Sequence, residues 1–169
     1  RSAVITNLAR QDWHVVEDLE RLGVTAFARE SEHSTCLDLI YPTTNLDERT
    51  IKLKSQADPI TVAQIENIDA RAFIVGASVR GEVPTQVVQA LAAKKAILVL
   101  DVQGFLRIVQ NGTLVSDGWR DRAEIMKHVT ILKTDAVEAK SLTGEDDRRV
   151  AVEKLAAEGP REVLLTHNG

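Results

Sequence analysis

The sequence lacks the residues that mark several classes of protein. It has a single cysteine, Cys36, among 169 residues, so it cannot form an internal disulfide or a disulfide-stapled secreted fold. Nine glycines and four prolines are too few for a collagen-like or low-complexity chain. Aromatic residues make up 4%, and Trp13 and Trp119 are better suited to packing than to stacking on nucleic-acid bases.

Long apolar runs and an excess of one charge are also lacking. The longest apolar runs, such as Ala96–Leu100, are far shorter than the roughly 20 residues that span a bilayer, and no secretory leader opens the chain. Lys and Arg number 21 against 25 Asp and Glu, well mixed, which argues against a basic face for nucleic acid. We therefore predict a cytoplasmic protein with neither a membrane nor a nucleic-acid partner.

What is present is an alternation of short β-branched runs with segments of helical periodicity. The predicted strands are Ala3–Thr6, Val24–Arg29, Ala72–Gly76, Ile97–Leu100, Val129–Leu132 and Val163–Thr166. The predicted helices are Asp12–Leu22 with Asp12 as N-cap, Pro84–Lys95 with Pro84 in the first turn, and Arg149–Glu158. This alternation predicts an α/β fold with a mainly parallel sheet and flanking helices.

One stretch interrupts the alternation. Ser34–Tyr41 and Arg49–Lys54 are strand-like segments with no helix between them, and the second alternates apolar with polar residues. A small antiparallel β element over residues 34–54 is therefore predicted. It is either a lid over a ligand or an ordinary antiparallel edge, and the sequence does not decide between them.

Polar residues follow several predicted strands where they end, which is the edge at which parallel sheets bind ligands. These residues are Thr6 and Asn7, Asp101 with Gln103 and Arg107, Lys133 with Asp135 and Glu138, and Thr166 with Gly169. Asp101 either binds a ligand or pairs with a neighbouring Arg or Lys. Thr166 and Gly169 either begin a phosphate-contacting turn or form a plain loop.

The spacing Asp135-x-x-Glu138 has two explanations. The two carboxylates could hold a hydrated Mg²⁺ beside Lys133, because hard cations prefer oxygen ligands and keep several waters. They could instead form a capping box, which satisfies free backbone N–H groups at the start of a helix. The spacing alone favours the cap.

Other chemistries are excluded or disfavoured by missing motifs. The sequence contains neither G-x-x-x-x-G-K-[ST] nor G-x-G-x-x-G, so neither common phosphate loop is present. Its four histidines are scattered, which argues against a zinc site. No G-x-S-x-G nucleophile elbow exists, and Cys36 is expected to be packed in its strand rather than catalytic.

Four segments, in order, resemble the ribokinase-like (PfkB) family of sugar and nucleoside kinases. Lys133–Gly144 is similar to the family's K-x-N-x-x-E-A-x-x-L-x-G segment, and Ala96–Arg107 is similar to its D-P-x-x-x-x-R stretch. Val163–Gly169 resembles the V-x-x-T-x-G strand that opens the nucleotide site, and Ser34–Lys54 matches the substrate lid. The resemblance implies a three-layer ribokinase-like fold and transfer of phosphate from ATP, with Mg²⁺, to a hydroxymethyl group of a sugar or nucleoside.

The resemblance also implies roles for particular residues. Nucleotide or phosphate would be bound by Lys133, Asp135, Glu138, Thr166, Gly169, Gln103 and Arg107. Glu138 and Asp135 would hold the metal through water, although Asp135 stands where the family usually has Asn. The substrate lid would present Cys36, Leu37, Leu39 and Tyr41, and the lid could also pair two copies into a homodimer.

Two family segments are not found in the sequence. The G-A-G-D segment, which carries the catalytic base, is expected after Gly169, and the glycine-rich substrate motif is expected before Arg1. Residues 1–169 are therefore expected to form a single incomplete kinase core with no catalytic residue of its own, inactive alone. The alternatives are a non-catalytic ligand-binding or dimerisation module with the same fold and, more weakly, a Rossmann-like oxidoreductase domain.

Overall fold

The structure is a computed structural model that describes residues 1–44 and 48–167, and in these ranges it contains ten strands and seven helices. The strands are β1 (Ala3–Leu8), β2 (Thr25–Glu30), β3 (Cys36–Ile40), β4 (Thr50–Ser55), β5 (Ala72–Val75), β6 (Ile97–Asp101), β7 (Arg107–Gln110), β8 (Thr113–Ser116), β9 (Ile131–Asp135) and β10 (Glu162–Thr166). The helices are α1 (His14–Arg21), α2 (Val62–Ile65), α3 (Thr85–Ala93), α4 (Gln103–Leu106), α5 (Arg122–Met126), α6 (Ala136–Thr143) and α7 (Arg148–Ala157).

The parallel strands form two sheets instead of one. A four-stranded sheet has the order β10-β9-β6-β5, and β1 pairs with β2 in a separate parallel ribbon. No backbone ladder joins the two sheets within the described residues. The predicted α/β class with parallel strands and flanking helices is thus confirmed. The parallel strands, however, form two separate sheets and not the single sheet that was expected.

The antiparallel element is larger than predicted. Strands β3 and β4 pair as expected, but β8 and β7 extend them into a four-stranded sheet of order β3-β4-β8-β7. The β7–β8 hairpin turns at Asn111-Gly112, where φ is +50° and +76°. Both angles are those of a tight hairpin turn, which favours Asn followed by Gly, so this dipeptide was the overlooked signal.

Several predicted boundaries were wrong for local reasons. Strand β9 begins at Ile131 because the Val129 amide still closes a turn on the Met126 carbonyl at 3.1 Å. Asp12 does not cap α1, since it lies in a 3-10 turn and its carboxylate accepts the Ser34 hydroxyl at 2.5 Å. Pro84 is the N-cap of α3 rather than part of its first turn.

The core lies around the central strands of the four-stranded parallel sheet. Leu98 and Leu100 of β6 and Leu132 of β9 are fully buried against α3, α5 and α7. Trp119 is also buried, stacking on Phe105 with ring centroids 4.9 Å apart, which confirms its packing role. In the described part of the chain, no helix is long and apolar enough to cross a membrane.

Candidate functional site

The register of β6 against β9 brings opposite charges together at the carboxyl edge of the sheet. Asp101 lies directly beside Lys133, and the Lys133 Nζ is 3.0 Å from Asp101 Oδ2. The other carboxylate oxygen of Asp101 accepts the Gln103 N–H at 3.1 Å and so begins α4. Asp101 therefore pairs with a lysine, one of the two outcomes expected for it.

Asp135 and Glu138 form the capping box at the start of α6. The Glu138 N–H donates to Asp135 Oδ1 at 2.7 Å, and the Asp135 N–H donates to Glu138 Oε2 at 2.8 Å. Within the described residues the second oxygen of each carboxylate accepts no hydrogen bond. The cap and a role in binding are therefore compatible, because each side chain keeps one oxygen for a ligand.

Arg107 and Glu138 are partly buried charges at the same edge. Burial lowers the pKa of the Arg107 guanidinium, and the nearby Glu138 carboxylate is the strongest influence that opposes this shift. Burial raises the pKa of Glu138, against the stabilising hydrogen bond from the Asp135 backbone. Arg107 and Glu138 are thus partly dehydrated charges, whose fields act on a bound ion more strongly than those of fully solvated groups.

Strand β10 adds Thr166 beside this cluster. Thr166 pairs in register with Asp135, and its hydroxyl donates weakly to the Thr134 carbonyl at 3.4 Å. Gln103 is half-buried in the first turn of α4, next to Asp101. Gly169, also predicted for this site, lies outside the described residues.

A cleft of about 740 Å³ opens beside α6. It is lined by the first turns of α6, by Thr166 and His167, and by basic residues that sequence reasoning missed, namely Arg49, Lys140 and Arg148. The carboxylates of Asp135, Glu145 and Asp146 also line it, whereas Lys133, Arg107 and Glu138 are absent from its described lining. Lys140 pairs with Asp146 at 2.5 Å. No sequence motif indicates these residues, because they come from three separate segments that only the fold brings together.

A second cavity, of about 630 Å³, lies between β1, β5 and the start of the antiparallel element. Its polar lining includes Asn7, Asp12, Ser34, Thr35 and Glu82. The rest of its wall is largely apolar, contributed by β1, β5 and α3. Such a mixture of hydroxyl, amide and carboxylate groups over an apolar floor suits a small polar molecule with several hydroxyls.

A hydrogen-bond network holds this cavity's polar wall in place. The buried Asn7 amide donates to the Asp58 carbonyl at 2.8 Å and its oxygen accepts from Gln64 at 2.6 Å. Thr35 donates to Glu82 at 2.6 Å, which ties the antiparallel element to the loop after β5. The cavity wall is therefore pre-ordered by contacts distant in sequence.

The four predicted lid residues fall in different places. Cys36 lines the 630 Å³ cavity, while Leu37, Leu39 and Tyr41 are absent from its described lining. Leu37 is half-buried in β3, Leu39 is exposed in the same strand, and Tyr41 is exposed just after the strand ends. The expectation that Cys36 is packed was wrong: it is exposed, because β3 is an edge strand.

The described residues contain no group of three or more His, Cys, Asp or Glu side chains that could cage a metal. A Mg²⁺ ion needs no such cage, since it binds through one or two carboxylates and keeps most of its waters. The free oxygens of Asp135 and Glu138 fit that mode.

Comparison with known proteins places these features in context. No protein-family model matches the sequence, and no curated protein matches it. Among solved structures, a sulfate complex of a pyrophosphate-dependent kinase in the ribokinase family is 30% identical, with a TM-score of 0.91, and the alignment covers 98% of this chain and 59% of that one. Another structure, of a pyrophosphate-dependent kinase in the same family complexed with a pyrophosphate analog and myo-inositol, is 29% identical, with a TM-score of 0.91, covering 99% and 59%.

A more distant structure, ribokinase from Giardia lamblia, is 13% identical, with a TM-score of 0.69, and the alignment covers 98% of this chain and 52% of that one. At that identity the likeness concerns the fold alone. The chain spans 59% of the length of the two more similar structures.

Proposed function

This chain has the kinase fold of the ribokinase (PfkB) family, and from that premise we propose that its protein transfers a phosphoryl group to an alcohol group of a sugar or cyclic polyol. The observation that carries the proposal is the charge cluster at the carboxyl edge, where Lys133, Arg107 and Glu138 meet. Phosphoryl transfer relies on positioning and on neutralising charge, and this cluster is suited to both.

We propose pyrophosphate as the phosphoryl donor. Two of the solved structures at 29–30% identity are of pyrophosphate-dependent kinases, whereas the structures described with ATP or an ATP analog are 17% and 15% identical. The 740 Å³ cleft offers three cations for a small anion, Arg49, Lys140 and Arg148, beside the carboxylates of Asp135, Glu145 and Asp146, and among its described lining residues there is no Phe, Trp or Tyr for stacking a base. ATP, the donor that the family resemblance implies, is the alternative.

The acceptor would occupy the 630 Å³ cavity. Its hydroxyl, amide and carboxylate groups can hydrogen-bond several hydroxyls of one molecule, and Thr35 and Glu82 are held there by a mutual hydrogen bond. The myo-inositol in the solved relative is a molecule of this kind. A sugar with a hydroxymethyl group or a nucleoside are the other acceptors to test.

The reaction would move one phosphoryl group. The acceptor oxygen forms a bond to the terminal phosphorus of pyrophosphate, the bridging P–O bond breaks, and orthophosphate leaves. The proton of the acceptor hydroxyl passes to a base, which the family resemblance places in a segment outside this sequence. When bound, Mg²⁺ would neutralise charge on the donor oxygens.

The chain's own residues would position the donor. Lys133 and Arg107 would bind phosphate oxygens, Arg107 through its planar fork of donors and Lys133 as a point charge. Asp135 and Glu138 would hold the metal's water ligands with the oxygens left free by the capping box. Gln103 and Thr166 lie at the borders of the same site.

The test is an assay of the natural protein that carries this sequence. Pyrophosphate or ATP is supplied with Mg²⁺ and one acceptor at a time: myo-inositol, ribose, fructose or a nucleoside. We expect phosphorus NMR to show a phosphomonoester and orthophosphate in equal amounts with pyrophosphate and a polyol. Absence of a phosphomonoester with every donor and acceptor would contradict the proposal.

A second candidate function is a non-catalytic binding or dimerisation module. The observation that favours it is the set of exposed apolar residues in and next to the antiparallel sheet, since Leu39, Ile40, Tyr41 and Val109 are each 42–49% exposed. A protein that forms dimers in sedimentation experiments but transfers no phosphate would support this candidate over the kinase. A protein that does both would use the sheet as lid and interface together.

A further inference from the structure

Arg49 belongs to the antiparallel element by its place in the sequence, but it lines the 740 Å³ cleft beside α6 and not the 630 Å³ cavity. It directly precedes β4, which the resemblance assigns to the substrate lid. Its side chain nevertheless lines the 740 Å³ cleft together with Asp135, Lys140 and Thr166. The fold therefore brings an exposed arginine of the lid to the wall of the donor cleft.

The carboxylates that line the cleft are engaged elsewhere among the described residues, Asp146 with Lys140, Glu145 with Lys154 and Asp135 in the capping box, so the charge of Arg49 is not compensated by an ion pair. Lys133 pairs with Asp101 at 3.0 Å and Lys140 with Asp146 at 2.5 Å, but no carboxylate among the described residues forms an ion pair with Arg49. Arg49 is also close enough to Arg107 for the two positive charges to repel, which helps to lower the pKa of Arg107. Two neighbouring guanidinium groups are unfavourable on their own and become favourable when an anion lies between them.

Arg148 strengthens the same argument from across the cleft. It lines the cleft at the first position of α7 and also has no ion-pair partner among the described residues. The neighbouring Asp147 carboxylate caps α7 by accepting the Arg149 and Val150 N–H groups, so the Arg148 guanidinium is left available for an anion in the cleft.

We propose that Arg49 binds the phosphoryl donor from the lid side, so that the donor bridges the antiparallel sheet and the carboxyl edge of the parallel sheet. The inference rests on the proposed function and extends it to a residue that no sequence motif indicates. The ligand it would take is a diphosphate or the terminal phosphates of a nucleotide. Arginine suits this role because its planar donors match two phosphate oxygens at once.

The test is calorimetric titration of the natural protein with inorganic pyrophosphate in the presence of Mg²⁺. Arg49→Gln removes the charge and is expected to weaken pyrophosphate binding by about 10- to 100-fold, as for a lost charge-assisted contact. Arg49→Lys should recover part of the affinity. Lys52→Gln is the matched control, since Lys52 is an exposed cation in β4, the strand that Arg49 precedes, and lies outside the described cleft lining. The affinity of this variant for pyrophosphate should equal that of the wild type.

The outcomes separate this inference from the proposed function. If the wild type binds pyrophosphate and Arg49→Gln binds it equally well, the inference is wrong and the proposed function stands. If the wild type binds neither pyrophosphate nor ATP, both fail. If Lys52→Gln loses as much affinity for pyrophosphate as Arg49→Gln, the attraction is a general effect of positive charge. That result would also contradict a specific role for Arg49. Thermal melting of each variant checks folding, which the exposed position of Arg49 should leave unchanged.

Discussion

Glu138 serves the fold and the site with different oxygens. One oxygen closes the capping box on the Asp135 backbone, while the carboxylate as a whole carries the cost of partial burial, which raises its pKa. A group whose pKa is raised by folding destabilises the folded state as the pH rises through the window above its ordinary value. The presence of a carboxylate at residue 138, in place of an uncharged side chain with the same hydrogen bond, is therefore better explained by ligand binding than by stability.

Substitution at this residue separates the two roles. Glu138→Gln keeps an oxygen for the Asp135 N–H and removes the buried charge, so the free energy of unfolding at neutral pH should equal or exceed that of the wild type. Glu138→Ala loses the bond and should be less stable than Glu138→Gln by about 1 kcal/mol. Urea denaturation measures both.

Both Glu138 variants should lose the Mg²⁺-dependent part of pyrophosphate binding. If Glu138→Gln binds pyrophosphate with Mg²⁺ as the wild type does, the carboxylate has only the capping role.

Asp117 gives a pH-dependent prediction of opposite sign. Its hydrogen bond from Arg80, at 2.8 Å, lowers the pKa of Asp117. The ionised form is favoured by folding, so this contribution to stability is present above the ordinary pKa of an Asp and is lost as the pH falls through the lowered value.

The variant Asp117→Asn should therefore be less stable than the wild type at neutral pH. The difference should shrink as the pH falls below the ordinary pKa of an aspartate and through the lowered pKa of Asp117. Urea denaturation at a series of pH values measures it, and a difference that stays constant with pH would contradict the assigned cause.

At the scale of elements, α4 is fixed by a close approach that only glycine allows. A Cβ on Gly104 would lie 2.3 Å from the Ala77 carbonyl oxygen, in the loop after β5. Because α4 leads directly into β7, which begins with Arg107, this contact also sets where Arg107 enters the site.

Gly104→Ala should therefore destabilise the protein by about 1–3 kcal/mol or more, as overpacking of a dense interior does. Gly118→Ala is the matched control, since a Cβ there meets nothing within 4 Å. Thermal unfolding of the two variants is the measurement, and equal melting temperatures would show that the loop and α4 can move apart at little cost.

The elements best predicted from the sequence were those with regular apolar patterns. Strands β1, β5 and β6 and helix α3 were expected within one or two residues of their observed ends, because burial on a parallel sheet imposes such patterns. The β7–β8 hairpin was not predicted, although Asn111-Gly112 is typical of a tight hairpin turn, because its short strands do not follow the alternation of strands and helices seen elsewhere in the sequence.

At the scale of the whole molecule, the site was predictable only in part. Lys133, Asp135 and Glu138 could be found because they lie at the end of one strand and in the first turn of the helix after it, and the carboxyl-edge rule then adds Asp101 and Thr166. Arg49, Lys140 and Arg148 could not be found, since their proximity depends on how separate segments pack. The division of the parallel strands into two sheets could not be predicted from the sequence either, because the apolar pattern of a strand does not specify which neighbour it pairs with.

The central claim is that phosphate binds at the carboxyl edge of the four-stranded parallel sheet, β10-β9-β6-β5. Titration of the isotope-labelled protein with pyrophosphate and Mg²⁺, followed by proton–nitrogen NMR, tests it most directly. We expect the largest amide shifts in residues 133–140 and at Arg49, Arg107 and Thr166. Shifts confined to the 630 Å³ cavity around Asn7, or no shifts at the carboxyl edge, would contradict the claim.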